Sequence, residues 1–220
     1  MFDAILPSRC NLCLTPDPGG YCYRCQLLLP WLEHRCHHCG RELPEGIVCG
    51  RCQRNPPAFD NAVVPFKYLD PISSHIQRLK YDRRLSVAPA LGKILAMQVV
   101  KQSVHLPDAL IPVPLHKARL KQRGFNQANL IAESVGRLLG IPVDSRIISR
   151  EKATMSQTDL DRHLREKNVH NAFAVSVKER YDAIAVIDDV ITSGATIGAA
   201  CSALRLNGYT QISAWAVART

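Results

Sequence analysis

Four Cys-x-x-Cys pairs lie within the first 52 residues, and they constrain this 220-residue chain more than any other feature. Two-residue spacing lets both thiolates of a tight turn reach one ion, and two such turns complete a tetrahedral four-sulfur shell around zinc. Eight thiols therefore predict two structural zinc ions and a double zinc ribbon over residues 1–55. The predicted ligands are Cys10, Cys13, Cys22, Cys25, Cys36, Cys39, Cys49 and Cys52.

Other uses of paired cysteines fit this chain less well. A disulfide framework is typical of secreted proteins, and this chain reaches its cysteines before any apolar run long enough for a signal peptide. A redox pair requires a motif at a helix start in a thioredoxin-like setting. How the pairs share the ions stays open, since alternate pairing would give a cross-braced module. The short gaps favour neighbouring pairs, and hence two ribbons.

The charge and hydropathy of the chain indicate its partners and location. The formal net charge is +9, and 22 basic residues face 14 acidic ones beyond residue 55. A basic surface suits polyanions, either a phosphate-bearing small molecule or a nucleic acid backbone. No apolar stretch approaches the roughly 20 residues of a membrane span. We therefore expect no membrane insertion and a cytoplasmic location.

Beyond the cysteines, strand and helix patterns alternate along the chain. Pro56 and Pro57 indicate a linker, and a second domain is predicted over residues 59–220. Alternating strands and helices predict an α/β fold with a mostly parallel sheet flanked by helices. Strands are predicted over 60–69, 108–115, 181–190 and 210–219, and helices over 73–84, 85–103, 125–139 and 196–206. Cys201, in the last helix, is expected to be a buried core thiol.

The chemistry of the second domain is concentrated after its most apolar strand. Asp188 and Asp189 end that strand, and a short loop of small residues then opens directly into a helix. Ligands of open α/β sheets bind beyond the carboxyl ends of strands, and the N–H groups of a helix start can hold a phosphate. Two carboxylates beside such a phosphate site predict a phosphorylated sugar with a divalent cation between them.

The run from Val186 to Thr196 resembles the phosphoribosyl pyrophosphate (PRPP) signature of type I phosphoribosyltransferases. The remaining motifs narrow this resemblance. In chain order they are the four cysteine pairs, Leu79-Lys80-Tyr81, Pro112-Val113-Pro114-Leu115-His116, Arg123-Gly124-Phe125-Asn126-Gln127, Arg165 with Asn168, Ala172 and Phe173, and the Asp-Asp loop. Together they are similar to the ComF/GntX family. The resemblance implies a double zinc ribbon, a type I phosphoribosyltransferase core and a role in DNA uptake or utilisation.

The resemblance also implies roles for individual residues. Asp188 and Asp189 would be the catalytic acids that hold the ribose hydroxyls and Mg²⁺. The loop after residues 108–115 would bind pyrophosphate, and residues 150–171 would form a flexible catalytic lid. The 5′-phosphate would be held by Thr192, Ser193, Gly194, Ala195 and Thr196. Pyrophosphate would meet the cations Lys117, Arg119, Lys121 and Arg123, which could stabilise an oxocarbenium-like transition state.

Two classes of function are consistent with these features. The first is a phosphoribosyltransferase that uses PRPP and Mg²⁺ on an acceptor that the sequence does not identify. The second is a non-catalytic protein that senses PRPP or a nucleotide while its basic surface holds single-stranded DNA. An acceptor-binding segment with a general base would separate them, and we identify none. The oligomeric state is not indicated by the sequence.

Overall fold

The computed structural model describes residues 9–102, 105–151, 172–176 and 181–220. Residues 152–171 of the predicted lid lie outside this description. The strands are β1 (Asn61–Val63), β2 (Phe66–Lys67), β3 (Ala109–Pro112), β4 (Ile148–Arg150), β5 (Phe173–Val175), β6 (Ala183–Ile191) and β7 (Gln211–Arg219). The helices are α1 (Tyr23–Gln26), α2 (Gly50–Arg54), α3 (Ile72–Tyr81), α4 (Val87–Lys101), α5 (Lys117–Arg123), α6 (Gln127–Leu139) and α7 (Ala195–Leu206).

Five strands form one sheet in the order β1-β7-β6-β3, with β2 also paired to β7. Every pairing in this sheet is parallel. The segment predicted as one strand over 60–69 is divided into β1 and β2, since the sequence between them contains Pro65, which cannot donate to a strand ladder. β4 and β5 form a separate antiparallel pair. The predicted mostly parallel α/β sheet flanked by helices is confirmed.

The sheet separates two apolar layers. Leu79 of α3, Leu91 of α4 and Ile131 of α6 pack in one buried cluster with Ile187 and Trp215 of the central strands. The opposite cluster joins α7 to the other face of the same strands, and it contains Cys201, which is fully buried as expected. Burial on both faces explains why β6 and β7 are nearly continuous apolar runs.

Helix α3 begins earlier than the sequence predicts. The helix starts at Ile72, one residue before the predicted range, and its first turn is bound by an acid upstream. The Asp70 carboxylate accepts hydrogen bonds from both hydroxyls, those of Ser73 and Ser74, and from the backbone N–H of Ser74 at 3.2 Å. An ionised acid at this position also complements the positive end of the helix.

A short helix, α5, replaces part of the loop that was expected after β3. His116 caps it, accepting a hydrogen bond at Nδ1 from the Ala118 N–H at 3.3 Å. Gly124 ends it in the left-handed region, at φ 86°. The basic residues of this segment therefore project from a helix, at spacings set by its turns.

The zinc-ribbon region packs directly on α3 and α4. Tyr21 lies in the same buried cluster as α3 and α4, and its hydroxyl is 2.7 Å from His75 Nδ1. Gly20, at φ 79°, approaches α4 so closely that an added Cβ would lie 2.4 Å from the Ala90 Cβ. The two regions thus share a core. Within the described residues, every helix is too short or too polar to cross a bilayer.

Candidate functional site

Eight cysteines form two four-sulfur clusters, as the sequence predicts. Within each cluster the sulfur atoms lie within 4.8 Å of one another. The clusters are built from neighbouring pairs, Cys10/Cys13 with Cys22/Cys25 and Cys36/Cys39 with Cys49/Cys52. This arrangement matches the four-thiolate shell of structural zinc, and it decides the pairing in favour of two ribbons. The two clusters are zinc-binding sites.

The local backbone and the thiol chemistry fit a cation in each cluster. The Cys22 N–H points to Cys10 Sγ at 3.4 Å, and the Cys49 N–H points to Cys36 Sγ at 3.3 Å. The Thr15 hydroxyl lowers the pKa of Cys13 to about 6, so this thiol ionises readily. Burial and the neighbouring sulfurs instead raise the pKa of Cys25 to about 12. Crowded thiolates repel one another, and a bound Zn²⁺ removes that repulsion.

Asp188 and Asp189 lie on β6 where one side of the strand loses its partner. β3 ends at Pro112, opposite Ile187, whereas β6 continues to Ile191 alongside β7. Successive side chains of a strand point to opposite faces, so the two acids face different layers. The structure therefore separates two carboxylates that the sequence treats as one pair.

Asp189 faces α3 and α6, where it is held by two side chains. It is 3% exposed, and its Oδ2 forms an ion pair with Lys80 Nζ. Gln127 Nε2 donates a hydrogen bond to Oδ1 at 3.3 Å. Burial lowers the pKa of Lys80, but the Asp189 charge outweighs it, and the pKa is raised overall. Asp189 is thus held in place by a cationic side chain and an amide.

Asp188 is half-buried and less constrained. Its Oδ1 accepts a hydrogen bond from the Asp189 N–H at 2.9 Å. Burial and the adjacent charge of Asp189 raise the pKa of Asp188 well above its ordinary value, and Lys80 offsets this only in part. A carboxylate that is costly to ionise and faces away from Lys80 can be stabilised by a divalent cation, because Mg²⁺ prefers oxygen ligands. The donor set therefore fits the predicted magnesium.

The predicted phosphate loop joins β6 to α7. Gly194 precedes the helix with φ 86°, a conformation that other residues adopt at a cost. Ser193 Oγ accepts a hydrogen bond from the Ala195 N–H at 3.3 Å. The residues from Thr192 to Thr196 are all half-buried, so the helix start remains accessible. This segment has the form of an anion site at a helix N-terminus.

The predicted pyrophosphate-binding cations have different environments. Lys117 is exposed on the first turn of α5. Arg123 instead turns towards the acids, because its Nη1 donates to Gln127 Oε1 at 2.6 Å. Its guanidinium also lies 5.6 Å from the centre of the Tyr81 ring. Arg123 is therefore connected through Gln127 to Asp189, whereas Lys117 faces solvent.

Lys80 and Gln127 complete the site, although neither was assigned a role from the sequence. Both stand inside motifs that the family resemblance singled out, Leu79-Lys80-Tyr81 and Arg123–Gln127. The adjacent Asn126 explains how the second motif is placed. Its Oδ1 caps α6 through the Ala128 N–H, and its Nδ2 donates to the Val113 carbonyl at 3.0 Å. This bond ties the start of α6 to the end of β3.

Comparison with known proteins assigns the family. The double zinc ribbon domain model matches residues 1–53. "DNA utilization protein YhgH" of Salmonella typhi is 33% identical over 98% of both chains, and "Competence protein F" of Haemophilus influenzae is 36% identical over 96% of both. The B. subtilis glutamine PRPP amidotransferase structure with ADP and GMP has 21% identity and a TM-score of 0.39, covering 59% of this chain and 25% of that one, too little to carry an argument. The two relatives show that this chain belongs to the ComF family, and the matched model shows its double zinc ribbon domain.

Proposed function

We propose that this protein binds PRPP with Mg²⁺ at the carboxyl end of β6 and transfers its phosphoribosyl group to an acceptor. The observation that carries the proposal is the continuous strand, loop and helix from Asp188 to Thr196. It offers a half-buried carboxylate and, a few residues later, an accessible helix start at Gly194. A ligand with hydroxyls at one end and a phosphate at the other matches these two features.

The residues divide the work of binding. Asp188 would hold the ribose hydroxyls and Mg²⁺, which when bound supplies positive charge to the pyrophosphate oxygens. Thr192, Ser193 and Thr196 would donate hydroxyl hydrogen bonds to the 5′-phosphate, beside the backbone N–H groups of Gly194 and Ala195. Asp189 would orient the site through Lys80 and Gln127, to which it is bound.

Transfer breaks the bond between ribose C1 and a pyrophosphate oxygen and forms a bond between C1 and the acceptor. Pyrophosphate leaves with the bonding electrons, so cations placed beside it favour the step. Arg123, which donates a hydrogen bond to Gln127, would be one such cation, and Lys117 would be a second, exposed one on the same helix. The relatives named for competence and DNA utilisation support a role for this activity in the handling of DNA.

Titration calorimetry with PRPP, with and without Mg²⁺, tests the binding site. Saturable binding that strengthens with Mg²⁺ is expected, and its absence would contradict the proposal. Release of pyrophosphate in the presence of bases, amines or DNA would identify the acceptor class.

A second candidate function is sensing of PRPP or a nucleotide by a DNA-binding protein. It is favoured by the exposed surface around Tyr81, which is 73% exposed beside the cation Arg123. Arg83, Arg84 and Lys121 are also exposed. Aromatic rings flanked by cations are typical of surfaces that bind single-stranded nucleic acid. A gel shift with single-stranded DNA, with and without PRPP, separates this function from transfer when combined with the pyrophosphate assay.

A further inference from the structure

A cavity of about 470 Å³ lies between the second zinc ribbon and α7. One wall is the small-residue face of α7, including Gly198, together with Ser193 of the loop before this helix. The opposite wall includes Arg51 of the ribbon, and Phe173 of β5 adds an aromatic surface. Asp188 does not line this space, which meets the PRPP site only at the loop. The volume falls within the range of small-molecule sites.

Arg219, the last residue of β7, lines the same cavity and has an unusual environment. It is 5% exposed, and its Nε and Nη1 atoms are buried with no hydrogen-bond partner among the described residues. Nε and Nη1 carry three of the five N–H donors of a guanidinium, and leaving them unpaired in the interior is costly. Such donors require hydrogen-bond acceptors, and the cavity beside them has room for a ligand that supplies these.

The charges around the cavity favour an anionic ligand. Arg51 and Arg219 line it, and no aspartate or glutamate of the described chain does so. The thiolates of Cys39 and Cys52 lie near Arg219 and offset part of its charge. However, Arg41 and Arg51 also lie close enough to act on the charge of Arg219. Three arginines therefore surround a four-cysteine cluster that, with zinc bound, would carry two net negative charges.

We propose that this cavity is a second ligand site that binds a nucleotide, with Arg219 contacting its phosphate. Arginine suits this role because its planar fork can donate two parallel hydrogen bonds to phosphate oxygens. Phe173, Pro56 and Pro57 provide an apolar surface for the base and sugar. The site goes beyond the proposed PRPP chemistry, since it uses neither the acids nor Mg²⁺.

Titration calorimetry of the zinc-loaded protein with AMP, without added Mg²⁺, tests the site. Arg219→Gln should weaken AMP binding by about ten- to a hundredfold, the size expected for a lost charge-assisted contact. The AMP affinity of Arg219→Lys should lie between those of the native protein and Arg219→Gln, because lysine keeps the charge but lacks the planar fork. Arg54→Gln is the matched control, since Arg54 is an exposed arginine of α2 that does not line the cavity.

A second variant tests the cavity without touching the zinc side. An added Cβ at Gly198 would have no atom within 4 Å, so Gly198→Leu should extend into the cavity and block it. This variant should fold, because leucine favours a helix interior more than glycine does. Loss of AMP binding with unchanged zinc content supports the site. Wild-type AMP affinity in both Gly198→Leu and Arg219→Gln would overturn it, as would absence of AMP binding to the native protein.

Further binding measurements identify the source of the nucleotide and distinguish this site from the PRPP site. Binding of AMP indicates a free nucleotide, whereas binding of a short oligothymidylate alone, lost in Gly198→Leu, indicates a nucleotide within single-stranded nucleic acid. Asp188→Asn should retain AMP binding, and Gly198→Leu should retain Mg²⁺-dependent PRPP binding. Failure of the PRPP proposal would therefore leave the AMP result intact, and the reverse also holds.

Discussion

Lys80 Nζ forms an ion pair with Asp189 Oδ2 across the space between α3 and β6. One partner comes from a helix near the zinc ribbons and the other from the strand that carries the candidate site. The contact spans more than 100 residues of sequence, and it places the acid in a fixed position with its charge compensated. The ion pair therefore links the shape of the candidate site to the docking of α3.

Lys80→Met should destabilise the protein by about 3 kcal/mol, because it leaves the Asp189 carboxylate buried without its cation. Chemical denaturation measures the change. Arg78→Met, an exposed cation of the same helix, is the control and should have little effect. Adding Asp189→Asn to Lys80→Met should recover part of the loss. Equal stability of the Lys80→Met and Arg78→Met variants would show that the ion pair does not stabilise the fold.

Asp188→Asn should raise the Tm while abolishing the Mg²⁺-dependent share of PRPP binding. The pKa of Asp188 is raised in the folded protein, so its ionisation is more costly there than in the unfolded chain. The free energy of unfolding therefore falls as pH rises from the ordinary aspartate pKa to the raised one. Asp188→Asn should lack this pH-dependent loss of stability, and thermal melts across that pH window measure it. Asp82→Asn, an exposed acid after α3, is the control; a lower Tm for Asp188→Asn would contradict this account.

Zinc should leave the first cluster before the second when a chromogenic chelator is added. Cys13 of the first cluster is exposed, whereas all four ligands of the second are buried. We expect about two zinc ions per chain by elemental analysis and two phases of release, since access to the sulfurs limits exchange. Cys13→Ser should remove the fast phase, and Cys201→Ala should keep both. A single phase, or metal-free protein with disulfides, would contradict the prediction.

Gly20→Ala should destabilise the protein by about 1–3 kcal/mol more than Gly46→Ala. Both glycines have positive φ, at 79° and 85°, so both substitutions carry similar backbone strain. Only at Gly20 does the added Cβ meet another atom, 2.4 Å from the Ala90 Cβ, while at Gly46 it meets nothing within 4 Å. Denaturation of the two variants isolates the packing of the first ribbon on α4. Equal losses would mean that this contact does not contribute.

The interior of the sheet was predictable because its signals are local. β6 and β7 are apolar runs, and buried parallel strands require such runs. The position of Cys201 followed from helical spacing in the same way. Short elements were harder to predict. α5 and the β4–β5 pair depend on capping and on strand partners distant in sequence, and the first turn of α3 is bound by Asp70, which lies outside the helix.

By itself, the sequence determined the two zinc sites, the α/β class and the strand, loop and helix that carry Asp188 to Thr196, because cysteine spacing, apolar periodicity and glycine placement act over a few residues. Only the tertiary structure decided that neighbouring cysteine pairs share each ion and that Asp189 is bound by Lys80 and Gln127 while Asp188 is not. It also decided that Arg219, whose Nε and Nη1 have no hydrogen-bond partner among the described residues, lines a cavity beside the second ribbon. These relationships join residues far apart in the chain, and they arise from packing and charge compensation, which no local pattern encodes.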